Sequence, residues 1–362
     1  MSSLIVEVCE IKEILTHKDA DNLEICVVKG WNCVVKKGQY KQGDTVVFIP
    51  PDAILPEALI EKLGVRNYLA GQKRNRVKCA KLRGEMSYGL IMDNWANWKI
   101  GSDLTEELGI VKYEPPLRTT AGDAAPSDPF FPIFTDIENI NNFPDVFEPG
   151  EDVVITEKLD GSASRSGIFR NEDGSIEYKA GSHKLKRTKP SDEEIKSNVY
   201  WFPMLLPSVK NMLEYLCVNF TGIRSATLYG EIFGRVRGGL KSMNYGRPNT
   251  LEYAAFGLQI DGEYVSWSEL EFICKQFEIP LVPIVAKIPF HIEKVKKLAT
   301  GHSIMAKNNG VEQIREGVVV VAAKERKVSG CSRAILKVLN PDYLLLKSKK
   351  EEKGEEVDFN DV

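Results

Sequence analysis

From residue 4 to about residue 112 the chain alternates short apolar runs with turn residues. Residues 4–14 mix apolar and charged positions in rough alternation. Residues 22–35 are rich in Val, Ile, Cys and Trp and are broken at Gly30. Residues 45–49 are apolar after the turn Lys41-Gln42-Gly43-Asp44. Apolar runs bounded by Gly, Pro and Asp predict strands, with one short helix at 56–63. Many short strands in so small a region predict a β-barrel, and an OB-type barrel fits best.

The stretch Leu117-Arg-Thr-Thr-Ala-Gly-Asp-Ala-Ala-Pro-Ser-Asp-Pro129 is small, polar and proline-bearing, and reads as a linker. Beyond it, strands are expected at 153–156, 176–180, 226–232, 253–259, 317–322 and 334–339. Ser268 with Glu271 has the spacing of a capping box opening a helix through Phe277, and 292–298 is a second helical candidate. The pattern is α+β, with antiparallel sheets, flanking helices and a cleft, not an alternating βαβ chain. The expected division is an OB-like domain at 1–116, a linker at 117–129, a larger α+β domain at 130–347 and a charged, disordered tail at 348–362.

At 362 residues the chain is long enough for two domains. A net charge of −3 excludes a general polycation, so any nucleic-acid contact must be local. Residues 66–83 are such a place: Arg66, Lys73, Arg74, Arg76, Lys78, Lys81 and Arg83 occur there without an acidic residue. A phosphate-tracking surface is the favoured reading over a solvated face. Tyr68 and Tyr88 are stacking candidates that barrel packing would explain equally well. The seven cysteines are scattered, never in a CxxC pair, and read as reduced thiols. The four histidines have no ligand spacing. Without a leader or a membrane-spanning stretch, an intracellular protein is expected, cytoplasmic or nuclear.

The chemistry centres on Glu157-Lys158-Leu159-Asp160-Gly161, where an apolar strand stops at a lysine and turns on Asp-Gly. Alone, this would be a surface turn. Its company alters that reading. Glu231 lies in the apolar strand of Tyr229-Gly-Glu-Ile-Phe-Gly234. Glu316 stands at the entrance to Gly317-Val-Val-Val-Val321, and Lys337 lies within Ala334-Ile-Leu-Lys-Val-Leu339. Charges in covered strands must be paired or bind a ligand. Asp160, Glu231 and Glu316 are suited to Mg²⁺ held through its waters, with Mn²⁺ as a substitute. Lys158 and Lys337 are suited to a triphosphate, with Lys158 as the nucleophile once it loses its proton.

In order and spacing this set resembles the motifs of the covalent nucleotidyltransferases: DNA ligases, RNA ligases and mRNA-capping guanylyltransferases. Lys158-x-Asp160-Gly161, Glu231, Phe256, Glu316-Gly317 and Lys337 match in turn. Further matches, among them Lys81-Leu82-Arg83-Gly84, Val111-Lys112-Tyr113-Glu114-Pro115-Pro116 and Tyr245-Gly246, narrow the resemblance to ATP-dependent RNA ligases with an N-terminal OB domain. The resemblance implies that Lys158 takes AMP from ATP, passes it to an RNA 5′-phosphate, and that a 3′-hydroxyl then attacks. Glu157, Asp160, Gly161, Glu231, Phe256, Glu316 and Lys337 would bind the nucleotide, with Phe256 stacked on adenine.

Where relatives carry Ser-Arg-Asn this chain has Ser182-His183-Lys184, so His183, Lys184 and Arg187 become candidates for the RNA end. Arg235 and Arg237, beside Gly230-Glu-Ile-Phe-Gly234, are read as RNA contacts in preference to solvated loop charges. Leu339 stands where many relatives have a second lysine, and Gly257 where an Asp is usual. The expected partners are RNA ends, including nicked duplex, with no membrane and no obligate protein partner. The alternatives are a DNA or RNA–DNA hybrid nick ligase and, from another class, a non-catalytic RNA-binding protein on a decayed ligase scaffold.

Overall fold

A computed structural model of the protein describes residues 3–114, 124–195, 198–220, 222–234 and 242–352. The chain forms two units: residues 1–116 with 139–144 and 341–362, and residues 117–138 with 145–340. Among the described residues no helix is long and apolar enough to cross a membrane. All seven cysteines are buried and free.

The first unit carries an antiparallel sheet in the order Trp31–Lys36, Leu23–Val28, Glu7–Thr16, Thr45–Ile49, Leu90–Asp93. The strand Glu7–Thr16 changes partner midway. Its first half pairs with Thr45–Ile49 and its second half with Leu23–Val28, with a register break between Ile11 and Glu13. A bulge of this kind bends a strand and starts the curl of a barrel. Alternate residues enter two different cores: Val8, Val47 and Ile49 one, Cys9, Val46 and Phe48 the other. A strand covered on both sides reads as continuously apolar, which is how residues 45–49 look in the sequence. The expected helix is Glu57–Leu63, with Leu59 and Ile60 buried.

In the second unit one antiparallel sheet runs Ala124–Ala125, Lys186–Arg187, Ile176–Ser182, Ser162–Arg170, Ser225–Gly234, Leu251–Ile260, Glu263–Tyr264. A second runs Ile335–Leu339, Gly317–Ala322, Asp152–Lys158, Ile284–Pro289. The strand Ser162–Arg170 was not foreseen, because small polar residues hide it. It is buried nearly throughout and paired on both sides. The helix Pro207–Asn219 was also missed, although Val209, Met212, Leu213 and Leu216 keep helical spacing and are its buried face.

Three expectations are corrected. The capping box belongs to Ser266 and Glu269 and opens Trp267–Gln276; Glu271 is instead 2.7 Å from Lys287. Part of the expected linker is a strand, since Ala124–Ala125 pairs with Lys186–Arg187. Residues 115–123 lie outside the described residues. The C-terminal charged stretch is helical through Pro341–Glu352, and residues 353–362 lie outside the description.

The basic run is also not uniform. Arg76 is buried, with its Nε 2.7 Å from Asp52 Oδ1 and its guanidinium 3.9 Å from the Tyr113 ring centroid. It holds the barrel together and is withdrawn as a nucleic-acid contact. Tyr88 packs against Trp31, whereas Tyr68 is exposed. Replacing Arg76 with Met strands the Asp52 carboxylate in the interior. Urea titration should show a loss of about 3–5 kcal/mol in the stability of this unit. A change below about 1 kcal/mol would contradict a structural role.

Candidate active site

The strand Asp152–Lys158 is buried from Val153 to Glu157, and Lys158 is its last residue. There Lys158 pairs with Gly317, and Gly317 with Leu339 on the next strand. Directly paired residues share a sheet face, and so does every second residue along a strand. Lys337, two residues before Leu339, therefore presents its side chain on the face that carries Lys158. Both side chains are largely buried.

Glu316 precedes Gly317 and is fully buried. Its Oε1 lies 2.8 Å from Lys158 Nζ, with the Lys158 side chain 13% exposed. An ammonium and a carboxylate this far from water depend on each other, since losing either leaves a buried charge.

The turn after Lys158 brings in the other carboxylates. The Asp160 N–H donates to the Tyr245 hydroxyl oxygen at 2.8 Å, and Asp160 Oδ2 accepts from the Met243 N–H at 2.7 Å. Burial, and next the Asp160 carboxylate, push the Tyr245 hydroxyl well above its ordinary pKa, so it stays a neutral phenol. Gly161 is needed for space. A Cβ there would lie 2.3 Å from the Ile232 carbonyl oxygen and 3.0 Å from Glu231 Oε1. The Glu231 side chain thus lies over the turn that follows Lys158.

Phe256 owes its place to a bulge. Tyr229 pairs with Gly257 and Gly230 with Ala255, which leaves Phe256 as the extra residue. It lies on the face that carries Glu231 and meets Phe134 edge-on at 5.0 Å. Gly257 makes room for that ring, because a Cβ would come within 2.7 Å of Phe134 Cε2. Phe134 was not singled out in the sequence, where it is one aromatic among many.

Glu157 is placed differently from expectation. It points to the opposite sheet face from Lys158, and its Oε2 accepts from the N–H groups of Ile304 at 2.7 Å and Met305 at 3.2 Å. Burial raises its pKa. It fastens the strand that ends in Lys158 to a helix start, and its side chain is withdrawn as a candidate nucleotide contact.

Among the described residues no three His, Cys, Asp or Glu side chains cluster tightly enough to hold one ion directly. The all-oxygen set Asp160, Glu231 and Glu316 still fits a hard cation that keeps its water shell, as expected for Mg²⁺ or Mn²⁺.

The candidate RNA contacts divide. Arg74 and Arg83 are exposed, and Arg83 with Gly84 makes a two-residue hairpin turn at φ 46° and 97°. Lys78 is half-buried, and Lys184 is exposed. His183 Nε2 lies 3.0 Å from Asp136 Oδ1, a hydrogen bond that holds the Asp136 carboxyl well below its usual range. Arg187 is buried, 4.4 Å from the Tyr200 ring centroid, and is corrected to a structural role. Trp201 and Cys331 are buried, as packing requires. Arg235 and Arg237 lie outside the described residues. Lys347, the first lysine after Leu339, is buried in the first unit, near Tyr343.

Comparison with known proteins follows this geometry. The RNA ligase family model matches residues 151–339, and an OB-fold domain model matches residues 5–94. The chain is similar to structures of Naegleria gruberi RNA ligase. A lysine-to-alanine variant with ATP and Mn is 25% identical, with a TM-score of 0.74 over 94% of this chain and 98% of that one. An arginine-to-alanine variant with ATP and Mn is 25% identical, with a TM-score of 0.73 over 95% and 99%. A glutamate-to-alanine variant with AMP and Mn is 25% identical, with a TM-score of 0.73 over 95% and 99%. No curated protein matches the chain.

Two outcomes follow from the site. Gly161→Ala must displace Glu231 or the turn, so covalent labelling by ATP should fall about a hundredfold. An unchanged rate would show that the close approach does not matter. Asp128 lies 2.7 Å from both Lys179 and Lys186, and although burial opposes it, these two lysines bring its pKa down to about 2. A carboxylate lowered in the folded state stabilises above its unfolded pKa of about 3.9 and loses that effect as pH falls toward 2. Asp128→Asn should therefore melt below the wild type at pH 7, with the gap closing between about pH 4 and 2. A constant gap would contradict the ion-pair origin.

Proposed function

The chain belongs to the RNA ligase family, and on that premise we propose the route by which its residues join RNA ends. It is an ATP-dependent ligase of RNA ends, and one observation carries the proposed route: the Lys158 ammonium lies against the buried Glu316 carboxylate on a face shared with Lys337.

Lys158 Nζ, after giving up a proton, attacks the α-phosphorus of ATP. A P–N bond forms, the bond from the α-phosphorus to the bridging oxygen breaks, and pyrophosphate leaves. Lys337 stabilises charge on the α-phosphate and disfavours the protonated form of Lys158. Phe256 stacks on adenine. Asp160, Glu231 and Glu316 would hold a hard cation, which would offset the charge of the phosphates. AMP then passes to the 5′-phosphate of RNA, and a 3′-hydroxyl displaces it.

The OB unit grips the strand that ends in the 3′-hydroxyl, using exposed Arg74 and Arg83 with Lys78. His183 and Lys184 face the 5′-phosphate end. We count nicked duplex among the RNA ends it joins and take the cell interior as the setting, in keeping with seven free cysteines. Lysyl-AMP formation needs no partner protein.

Purified protein with α-labelled ATP, Mg²⁺ and nicked RNA should retain label and seal the nick. Lys158→Ala should do neither, and Lys337→Ala should lose at least about a hundredfold in labelling rate. Label from GTP alone would indicate capping chemistry, efficient sealing of DNA would favour the DNA-ligase alternative, and absence of label with either metal would leave only RNA binding. Deleting residues 1–112 should abolish sealing while labelling persists.

A further inference from the structure

The turn that aims the nucleophile is held from far along the chain. Among the polar groups that tie Asp160 are the Tyr245 hydroxyl, 85 residues away, and the Met243 N–H, 83 residues away. Tyr245 is itself fixed from several sides. It is buried, its ring meets Phe233 at 5.2 Å, and its carbonyl accepts from Asn309 Nδ2 at 2.8 Å. Gly246 lets Asn309 come close, because a Cβ there would lie 2.8 Å from Asn309 Cβ. Tyr245-Gly246 was noted in the sequence as part of a resemblance, with no role attached to it.

Only Leu159, buried at 3% exposure, separates Asp160 from Lys158. Whatever fixes the Asp160 peptide therefore also limits where the Lys158 side chain can point. A short polar turn with no such tether has several arrangements of similar energy. The phenol oxygen and the Met243 amide select one of them, in which Lys158 Nζ reaches Glu316 Oε1 at 2.8 Å.

We propose that Tyr245 is a positioning residue of the ligase reaction: its buried hydroxyl fixes the Asp160 peptide, and with it the Lys158 ammonium against Glu316 and the Asp160 carboxylate at the cation site. This rests on the ligase reading above. Tyr245 is buried, with its hydroxyl on the Asp160 N–H. It acts through the turn, so its removal should weaken the chemical step and cation retention more than ATP binding.

Tyr245→Phe tests this in the full chain, since the ring keeps its packing on Phe233 and only the hydroxyl is lost. Lysyl-AMP formation is measured against ATP and against Mn²⁺. Mn²⁺ retention is measured separately by electron paramagnetic resonance, with an ATP analogue whose α–β bridging oxygen is replaced by methylene and which cannot react. The labelling rate at saturating ATP should fall about tenfold, with KM for ATP within about twofold of wild type. Half-saturating Mn²⁺ should rise about threefold or more in both assays, as expected when a ligand's orienting contact is lost. Asn309→Ala, which frees the same segment from its other side, should shift the Mn²⁺ dependence in the same direction, and it serves if Tyr245→Phe folds poorly.

Unchanged rate and Mn²⁺ dependence in Tyr245→Phe would overturn the proposal. So would a loss confined to KM for ATP or accounted for by a lowered melting temperature. Wild-type protein that takes no label would overturn the ligase reading instead, while Mn²⁺ retention with the analogue would still decide the role of Tyr245.

Discussion

The contact between the Lys158 ammonium and the Glu316 carboxylate is the constraint on which the second unit depends. Two opposite charges are placed where water scarcely reaches, 2.8 Å apart, at the ends of adjacent strands. Such a pair costs more to desolvate than a surface pair and is destabilising to break. It holds only if the register of the two strands is kept. A slip of one residue between Asp152–Lys158 and Gly317–Ala322 would turn Lys158 to the other face. The apolar side chains of those strands make a slip expensive, so the core of the sheet specifies the chemistry at its end.

The same logic extends around the site. Glu157 lies one residue before Lys158 and hence on the opposite face, where it fastens the strand to Ile304 and Met305. Gly161 leaves space for Glu231, and a bulge opposite Tyr229 and Gly230 sets Phe256 on the face of Glu231. The functional side chains sit on strands or beside their ends, and distant segments hold the turn between. Arg76 and Arg187 show the reverse case, since charges that look available in the sequence are consumed by packing against Asp52 and Tyr200.

Much of this was legible in the chain. Isolated charges inside apolar strands are rare for a physical reason, and Lys158, Glu231, Glu316 and Lys337 were identified by that rule together with their order. The OB-type strands of the first unit were legible from turn residues and apolar runs. The failures also have causes. Ser162–Arg170 is a central strand without the bulky residues that mark strands. Two Ser–Glu pairs had capping-box spacing, and only tertiary contacts, with Glu271 drawn to Lys287, decide between them. Which arginine is buried, and that Tyr245 would reach Asp160, depends on contacts that no local pattern encodes.

The central claim is that Lys158, set by Glu316, is the atom that carries AMP. Peptide mapping by mass spectrometry after incubation with ATP and Mg²⁺ tests it most directly. The account predicts one AMP adduct, on the peptide bearing Lys158, removed by added pyrophosphate with return of ATP. An adduct on another residue, or stable AMP attachment in Lys158→Ala, would contradict it.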